Sequence, residues 1–354
     1  MDGSEQEMHM TSWHDVIVIG AGVMGAATAR ALARSGIGVT IFEQFDVGHT
    51  GGSSHGRSRI FRLSYPDPMY VRMAVEAHWL WRELERERDA ELLVITGGLD
   101  AGEEIASNRA ALEECGVAYE LMDGREAMRR WPQVSIDPDA ELLFQNEGAY
   151  VAADGAVDAF LGSALDAGAK LMENARVERL SLDDGGGAVL SVGGDEIKAR
   201  VVVVTAGSWV KGLLSTAGLD IDVRPTRETV AYFRFEGDLP PTLVEWGRPA
   251  AYALPAPGEG LKVGQHIAGP LADPDDAGIV SDESVQILSD WVRRRFPAAD
   301  PTPLRAETCL YTNTPDEHFV LDRHGPIVVG SPCSGHGFKF APLIGKRLAE
   351  LAKD

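Results

Sequence analysis

The chain has 354 residues, 44% hydrophobic and 25% charged, with a formal net charge of −21. That length exceeds what one core usually fills, so two domains are expected, and the composition is that of a globular protein. The negative charge argues against a nucleic-acid partner, which needs a concentrated basic face, but it leaves room for an anionic substrate held by a few local arginines.

The opening stretch MDGSEQEMHMTSWHD is polar and acidic, without the apolar run of a secretory signal, and no later segment approaches the roughly 20 apolar residues of a membrane span. The closing LAKD carries no address, so no membrane association and a cytoplasmic location are expected. Asp15 to Ile19 reads as a short buried strand. Gly20, Gly22 and Gly25 follow as G-x-G-x-x-G. Ala26 to Ser35 reads as an alanine-rich helix ended by Gly36, and Val39 to Phe42 as a second strand finishing at Glu43. The three glycines serve a tight turn, a close backbone approach to pyrophosphate, and close helix–strand packing. The helix N-terminus offers unpaired N–H groups and a positive dipole end to phosphates. Glu43, about 20 residues past the first glycine, can accept from a ribose 2′-hydroxyl, which disfavours NADP. The arrangement predicts a Rossmann-type dinucleotide site and leaves NAD and FAD both open.

The loop HTGGSSHGRSRIFR gathers His55, Arg57, Arg59 and Arg62; the spacing of Arg59 and Arg62 would place them on one side of a helical turn. Tyr70, Met73, Ala74, Ala77, Leu80, Trp81 and Leu84 form one apolar stripe of an amphipathic helix with a solvated charged face. EAMRRWP and the segment after GAYVA predict two more helices, leading into a strand from about Ala175 to Leu180. Val201 to Val204 is a continuous apolar run, as a central parallel strand requires. Residues 216–304 alternate more and predict an antiparallel sheet with one exposed side. The end returns to strand, glycine-rich turn and helix. Three scattered cysteines, Cys115, Cys309 and Cys333, exclude a disulfide framework or zinc cluster and fit a reducing compartment; no metal site is expected.

SSHGRSRIFR, CLYTNTPDEHFVLDRH and SGHGFKFAP, in that order behind the glycine motif, resemble the family of monomeric sarcosine oxidase, N-methyltryptophan oxidase and pipecolate oxidase, within the D-amino-acid-oxidase-like flavoproteins. The resemblance runs from Asp15 to about Leu351. It implies an α/β fold in which a Rossmann-type FAD-binding domain (1–85, 150–215 and 305–354) is interleaved with a discontinuous antiparallel-sheet substrate domain (86–149 and 216–304). It implies FAD as cofactor, with contacts at Gly20, Gly22, Gly25, Glu43, Val177, Gly207, Cys309, Gly335, Gly337 and Lys339. Cys309 matches the family cysteine that forms a thioether to the flavin 8α-methyl group, and basic surroundings are expected to raise its thiolate fraction. Cys115 and Cys333 read as small buried hydrophobes.

By the same resemblance Arg62 and Lys339 bind a substrate carboxylate, which suits an arginine fork and a lysine point charge. Arg59 and His55 lie near the flavin ring. Lys262 matches a lysine associated with oxygen activation, where a fixed cation stabilises developing superoxide; from the residues alone it reads as a strand lysine facing water. Tyr252, His266 and Tyr311 match the substrate cavity. The implied function is oxidation of a small secondary, N-methyl amino acid by dioxygen in a monomeric enzyme, yielding hydrogen peroxide; pipecolate or proline is the alternative substrate class. A nicotinamide-dependent dehydrogenase and a non-catalytic dinucleotide-binding protein are the remaining readings; the first does not account for Cys309 or the terminal glycine–lysine block, and the joint presence of Lys262 and Arg62 weighs against the second. Three departures bear on the cavity wall: RHGPIVVGSPCSGHG is short and holds Pro332-Cys333, Arg57 stands where sarcosine oxidases tend to carry an acid, and the sequence stops at Asp354 without the family's usual C-terminal extension.

Overall fold

The computed structural model describes residues 13–354, so most of the polar N-terminal stretch discussed above lies outside the described residues. No helix among them is long and apolar enough to cross a membrane. Three sheets organise the chain. In the first, the strands His14–Ile19, Val39–Phe42 and Lys170–Met172 run parallel beside Asp195–Val204. The long strand Asp195–Val204 changes partner along its other edge. Its first half pairs antiparallel with Ala188–Val192, and its last residues pair parallel with Ile327–Ser331. The expected central strand is therefore buried between parallel neighbours. Val16, Val18 and Val203 pack against the helices Val23–Arg34 and Ala341–Lys353, while Ile17, Ile19, Val202 and Val204 pack on the opposite face against Val210, Leu213 and Leu214. Alternate residues thus feed two cores, which is why the sequence there reads as unbroken apolar runs.

The second sheet has eight strands: Ala299–Asn313, Arg224–Phe235, Gly260–Gln265, Ala251–Ala256, Thr242–Trp246, Gly98–Gly102, Glu141–Gln145 and Glu120–Asp123, in spatial order. All pairings are antiparallel except Thr242–Trp246 with Gly98–Gly102. Residues 216–304 are not strand throughout. Asp282–Arg295 is a helix capped by Ser281, whose Oγ accepts the Ser284 N–H at 3.1 Å, with Leu288, Trp291 and Val292 buried on one stripe. The strand Ala299–Asn313 also runs unbroken through residue 305, the boundary expected between the two domains.

A third, small sheet joins Ser58–Phe61, Ala149–Ala152 and Leu93–Ile95. This corrects the helical turn expected for Arg59 and Arg62: β-branched Ile60 and Phe61 extend instead, and three residues along a strand span about 10 Å. The expected amphipathic helix is Pro68–Arg88, with Asp67 as N-cap and Tyr70, Met73, Ala74, Ala77, Trp81 and Leu84 buried.

Candidate active site

The strand His14–Ile19 ends in the glycine turn, and the helix Val23–Arg34 begins three residues earlier than the sequence predicts. Gly22 is extended, and the first helical N–H, at Val23, donates to Ser54 Oγ at 3.0 Å. Glu43 is 4% exposed. Its Oε2 accepts the Ala21 N–H at 2.8 Å and its Oε1 the Phe45 N–H at 3.1 Å, which leaves further lone pairs for a hydroxyl.

From this turn a cavity of about 1140 Å³ extends beneath the antiparallel sheet. That exceeds the few hundred to about 1,000 Å³ typical of a single small-ligand pocket. Its wall brings together Gly20, Gly22, Glu43, His55, Arg59, Arg62, Val177, Gly207, Tyr252, Lys262, His266, Cys309, Tyr311, Gly335, Gly337 and Lys339. Gly25 alone among the expected residues is off the wall. A Cβ there would overlap the Gly20 carbonyl oxygen, so Gly25 serves the close approach of helix to strand.

Midway along the cavity the Arg59 guanidinium is pinned by the carbonyls of Ser53 (2.9 Å), His55 (2.6 Å) and Ser58 (2.9 Å). Burial, then Arg59, push the His55 imidazole down to about 4, so it is neutral at pH 7. Its Nε2 is buried without a hydrogen-bond partner. Lys262, read from the residues alone as facing water, is 4% exposed; burial and then Arg59 push its ammonium down to about 7. The expectation for Cys309 is also corrected. Arg59 and Lys262 do pull the thiol down, but burial outweighs them and raises it above its ordinary value. Cys333 differs from Cys309 in having a local partner, the Thr312 N–H at 3.2 Å from its Sγ.

At the far end two cations share one aromatic ring. The Arg62 guanidinium lies 4.2 Å from the Tyr65 centroid and 5.1 Å from that of Trp246, and Lys339 Nζ lies 5.5 Å from Tyr65. Lys339 sits on the 3₁₀ turn Phe338–Phe340 before the last helix, 5% exposed, and donates to the His336 carbonyl at 2.8 Å. Burial and then Arg62 hold its ammonium well below the ordinary lysine value. Arg62 Nη1 donates to the Ser64 carbonyl and stands 3.8 Å from Asp100, which Ser64 Oγ holds in turn. Asp100 is 3% exposed, and burial raises its carboxyl despite Arg62. His266 Nε2 is 3.6 Å from Glu317, with Trp246 edge-on to its ring. Burial pushes Tyr252 up to about 12 and Tyr311 well above its ordinary value, so both are neutral hydroxyls. Gly335 closes this end at φ +72, where a Cβ would collide with the Tyr311 ring.

Sequence reasoning passed over Asp100, Trp246, Glu307 and His336, all placed on or behind this wall. The lone acid in the apolar strand Gly98–Gly102 was a readable signal for Asp100. The alternation Arg305, Glu307, Cys309, Tyr311 was one for Glu307.

The wall suits FAD on its own features. Gly20 and Gly22 leave a backbone cradle whose Cβ positions would lie 2.6 Å from Thr205 O and 3.0 Å from Ser54 Oγ, an unpartnered His55 Nε2 is buried midway, and Arg59 and Lys262 supply positive charge beside it. Comparison with known proteins decides the matter. The family model described as FAD dependent oxidoreductase (DAO) matches residues 15–351. The chain belongs to that family. It is 31% identical over 364 residues to monomeric sarcosine oxidase of Bacillus sp. (strain B-0618), covering 97% of this chain and 93% of the relative. It is 33% identical over 366 residues to peroxisomal sarcosine oxidase of Homo sapiens, covering 96% and 92%. N-methyl-L-tryptophan oxidase of Shigella boydii is 29% identical over 368 residues, covering 96% and 95%. Among solved structures, the open form of NikD, an unusual amino acid oxidase essential for nikkomycin biosynthesis, superposes with a TM-score of 0.87 at 27% identity, covering 97% and 94%. The protein is thus an FAD-dependent oxidoreductase with the mixed α/β architecture of this family.

Proposed function

We propose that the protein oxidises small secondary amino acids of the N-methyl type, sarcosine foremost, with dioxygen as acceptor. The observation that carries this reading is the pair Arg62 and Lys339. Two basic side chains are buried around one ring, and among the described residues Asp100 is the one carboxylate within 4 Å of Arg62, so an incoming anion finds two nitrogen donors and would favour the ammonium form of Lys339. A substrate carboxylate supplies that anion, with the Arg62 fork giving directional contacts and Lys339 a point charge. Tyr252, Tyr311, His266 and Trp246 then enclose the rest of the molecule, excluding water around the amine. The relatives named sarcosine oxidase and N-methyl-L-tryptophan oxidase support an N-methylated substrate.

The Gly20–Gly22 turn, Glu43, Val177, Gly207 and the Gly335–Gly337 segment would hold FAD, and Cys309 would tether it through a thioether to the 8α-methyl group, as the family resemblance implies. Bound there, FAD would supply the two-electron chemistry, as acceptor of a hydride equivalent from the carbon next to the substrate nitrogen and donor of both electrons to dioxygen, which with two protons gives hydrogen peroxide. The imine product takes up water to give an aldehyde and an amino acid. Lys262 is the fixed cation for dioxygen, and Arg59 and His55 border the ring. Of the FAD-binding part expected at 1–85, 150–215 and 305–354 of a monomer, the described residues begin at 13, and the strand through residue 305 is shared by both parts.

Peroxide release from sarcosine, other N-methyl amino acids, pipecolate and proline tests the reading. Turnover of the N-methyl compounds is expected. Turnover confined to pipecolate or proline would replace them with the cyclic class, and none with any of the four would remove the secondary amino acid altogether.

A further inference from the structure

The strand Ala299–Asn313 presents Arg305, Glu307, Cys309 and Tyr311 to the cavity at two-residue intervals, as the pleat requires. Across the sheet, Tyr232 stands opposite Lys262 on one neighbouring strand and opposite Arg305 on the other. The three strands therefore set an ordered row of charge and ring. The Arg305 guanidinium lies 3.7 Å from the Tyr232 centroid and pairs with both Glu307 and Glu259. The Tyr232 hydroxyl donates to Glu307 Oε1 at 2.5 Å. Lys262 Nζ lies 5.7 Å from the same ring. Lys262 Nζ and Glu307 Oε1 also converge on one point, the place a Cβ on Gly56 would occupy, at 3.6 and 3.7 Å from it.

We propose that Glu307 is a positioning residue that keeps Lys262 charged for its reaction with dioxygen. This rests on the oxygen role given to Lys262 above. The charged and titratable groups around Lys262 divide by sign. Arg59 on Ser58–Phe61 and Arg305 on Ala299–Asn313 oppose a further cation, and Tyr232 and His55 are neutral. Asp154, at the start of the helix Ala153–Asp166, lines the same cavity, and burial raises its carboxyl despite Arg59 and Lys262, which makes it a weaker anion than Glu307. The Cys309 thiol is raised by burial and carries no charge at neutral pH. Glu307 is the firmer anion. Burial pushes its carboxyl up, but Tyr232, Arg305 and Lys262 together outweigh that and hold it below the ordinary carboxylate range. A lysine balanced near neutrality responds steeply to such a neighbour. Removing the negative charge lowers the proton affinity of Lys262, so less of it is ammonium at neutral pH.

The experiment uses holoenzyme carrying ¹³Cε-labelled lysine, with the Lys262 resonance assigned by its absence in Lys262→Met. Wild type is expected to titrate near 7. Glu307→Gln is expected to titrate about one pH unit lower, a tenfold weaker protonation. Glu307→Asp keeps the charge and should recover most of the difference. Tyr232→Phe removes a donor to Glu307 but keeps its charge, so it should not lower the midpoint; Glu307→Ala serves if Glu307→Gln does not fold. In stopped-flow work the alkaline fall of the reoxidation rate should move with the resonance, and further than any change in anaerobic reduction by substrate. An unmoved midpoint in Glu307→Gln overturns the proposal. If Lys262→Met reoxidises as fast as wild type, the oxygen role itself fails, while the lysine midpoint still reports whether Glu307 holds the charge.

Discussion

Lys262→Met should make this protein more stable while making it a worse oxidase. Burial moves the Lys262 ammonium from 10.5 in the unfolded chain to about 7 in the fold. At about 1.36 kcal/mol per unit, confining the charged form costs about 5 kcal/mol, an upper figure for what an isosteric apolar side chain recovers. The sign with pH follows from proton counts. Between about 7 and 10.5 the unfolded chain holds a proton on this lysine that the folded one has shed, so wild-type stability rises with pH through that window. Below about 7 both states are protonated and the cost is paid in full. The gain from Lys262→Met is therefore largest at pH 6 and fades toward pH 10. Glu307 keeps Tyr232 and Arg305 in the variant, so no carboxylate is stranded. Thermal unfolding of both proteins at pH 6, 8 and 10 measures the gap, and stopped-flow absorbance measures the two half-reactions, with reoxidation by oxygen slowed far more than anaerobic reduction. A variant less stable than wild type at pH 6, or a gap flat with pH, would refute the burial argument. Equal slowing of both half-reactions would remove Lys262 from the oxygen step.

Lys339→Met should lower kcat/KM for the preferred amino acid by about 10- to 100-fold, the worth of one charge-assisted hydrogen bond, chiefly through KM; a change under twofold in steady-state peroxide assays would take Lys339 out of carboxylate binding. Cys309→Ser should turn a protein that keeps its yellow colour in the acid precipitate into one that releases it to the supernatant, and a wild-type Cys309 peptide without the mass of a flavin would rule out the tether.

The parts of this fold that were legible in the sequence are those set by neighbours along the chain. Gly20, Gly22 and Gly25 between two apolar runs left one local solution, and the strand Val39–Phe42 falls where its residues place it. The arginine loop misled because a three-residue spacing means one side on a helix and opposite sides on a strand; Ile60 and Phe61 carried the strand preference that the spacing obscured. The helix Asp282–Arg295 was hidden by the alternating strands around it, although Ser281 and its buried stripe mark it. What no local pattern holds is burial by distant segments. Lys262 and Lys339 have ordinary surroundings in sequence and lose their water to strands and loops far along the chain. The same desolvation reverses the expectation for the Cys309 thiol, where nearby cations were visible in the sequence but the depth of burial was not. Asp100 and Trp246 meet Arg62 only because Thr242–Trp246 and Gly98–Gly102 pair in the one parallel contact of an otherwise antiparallel sheet.

The most direct measurement is the visible flavin spectrum of the purified protein under strict exclusion of oxygen. The account predicts that sarcosine or a related N-methyl amino acid bleaches the flavin band, and that admitting oxygen restores it with one equivalent of peroxide. A flavin band that no secondary amino acid bleaches, or a protein that binds no flavin at all, would contradict it.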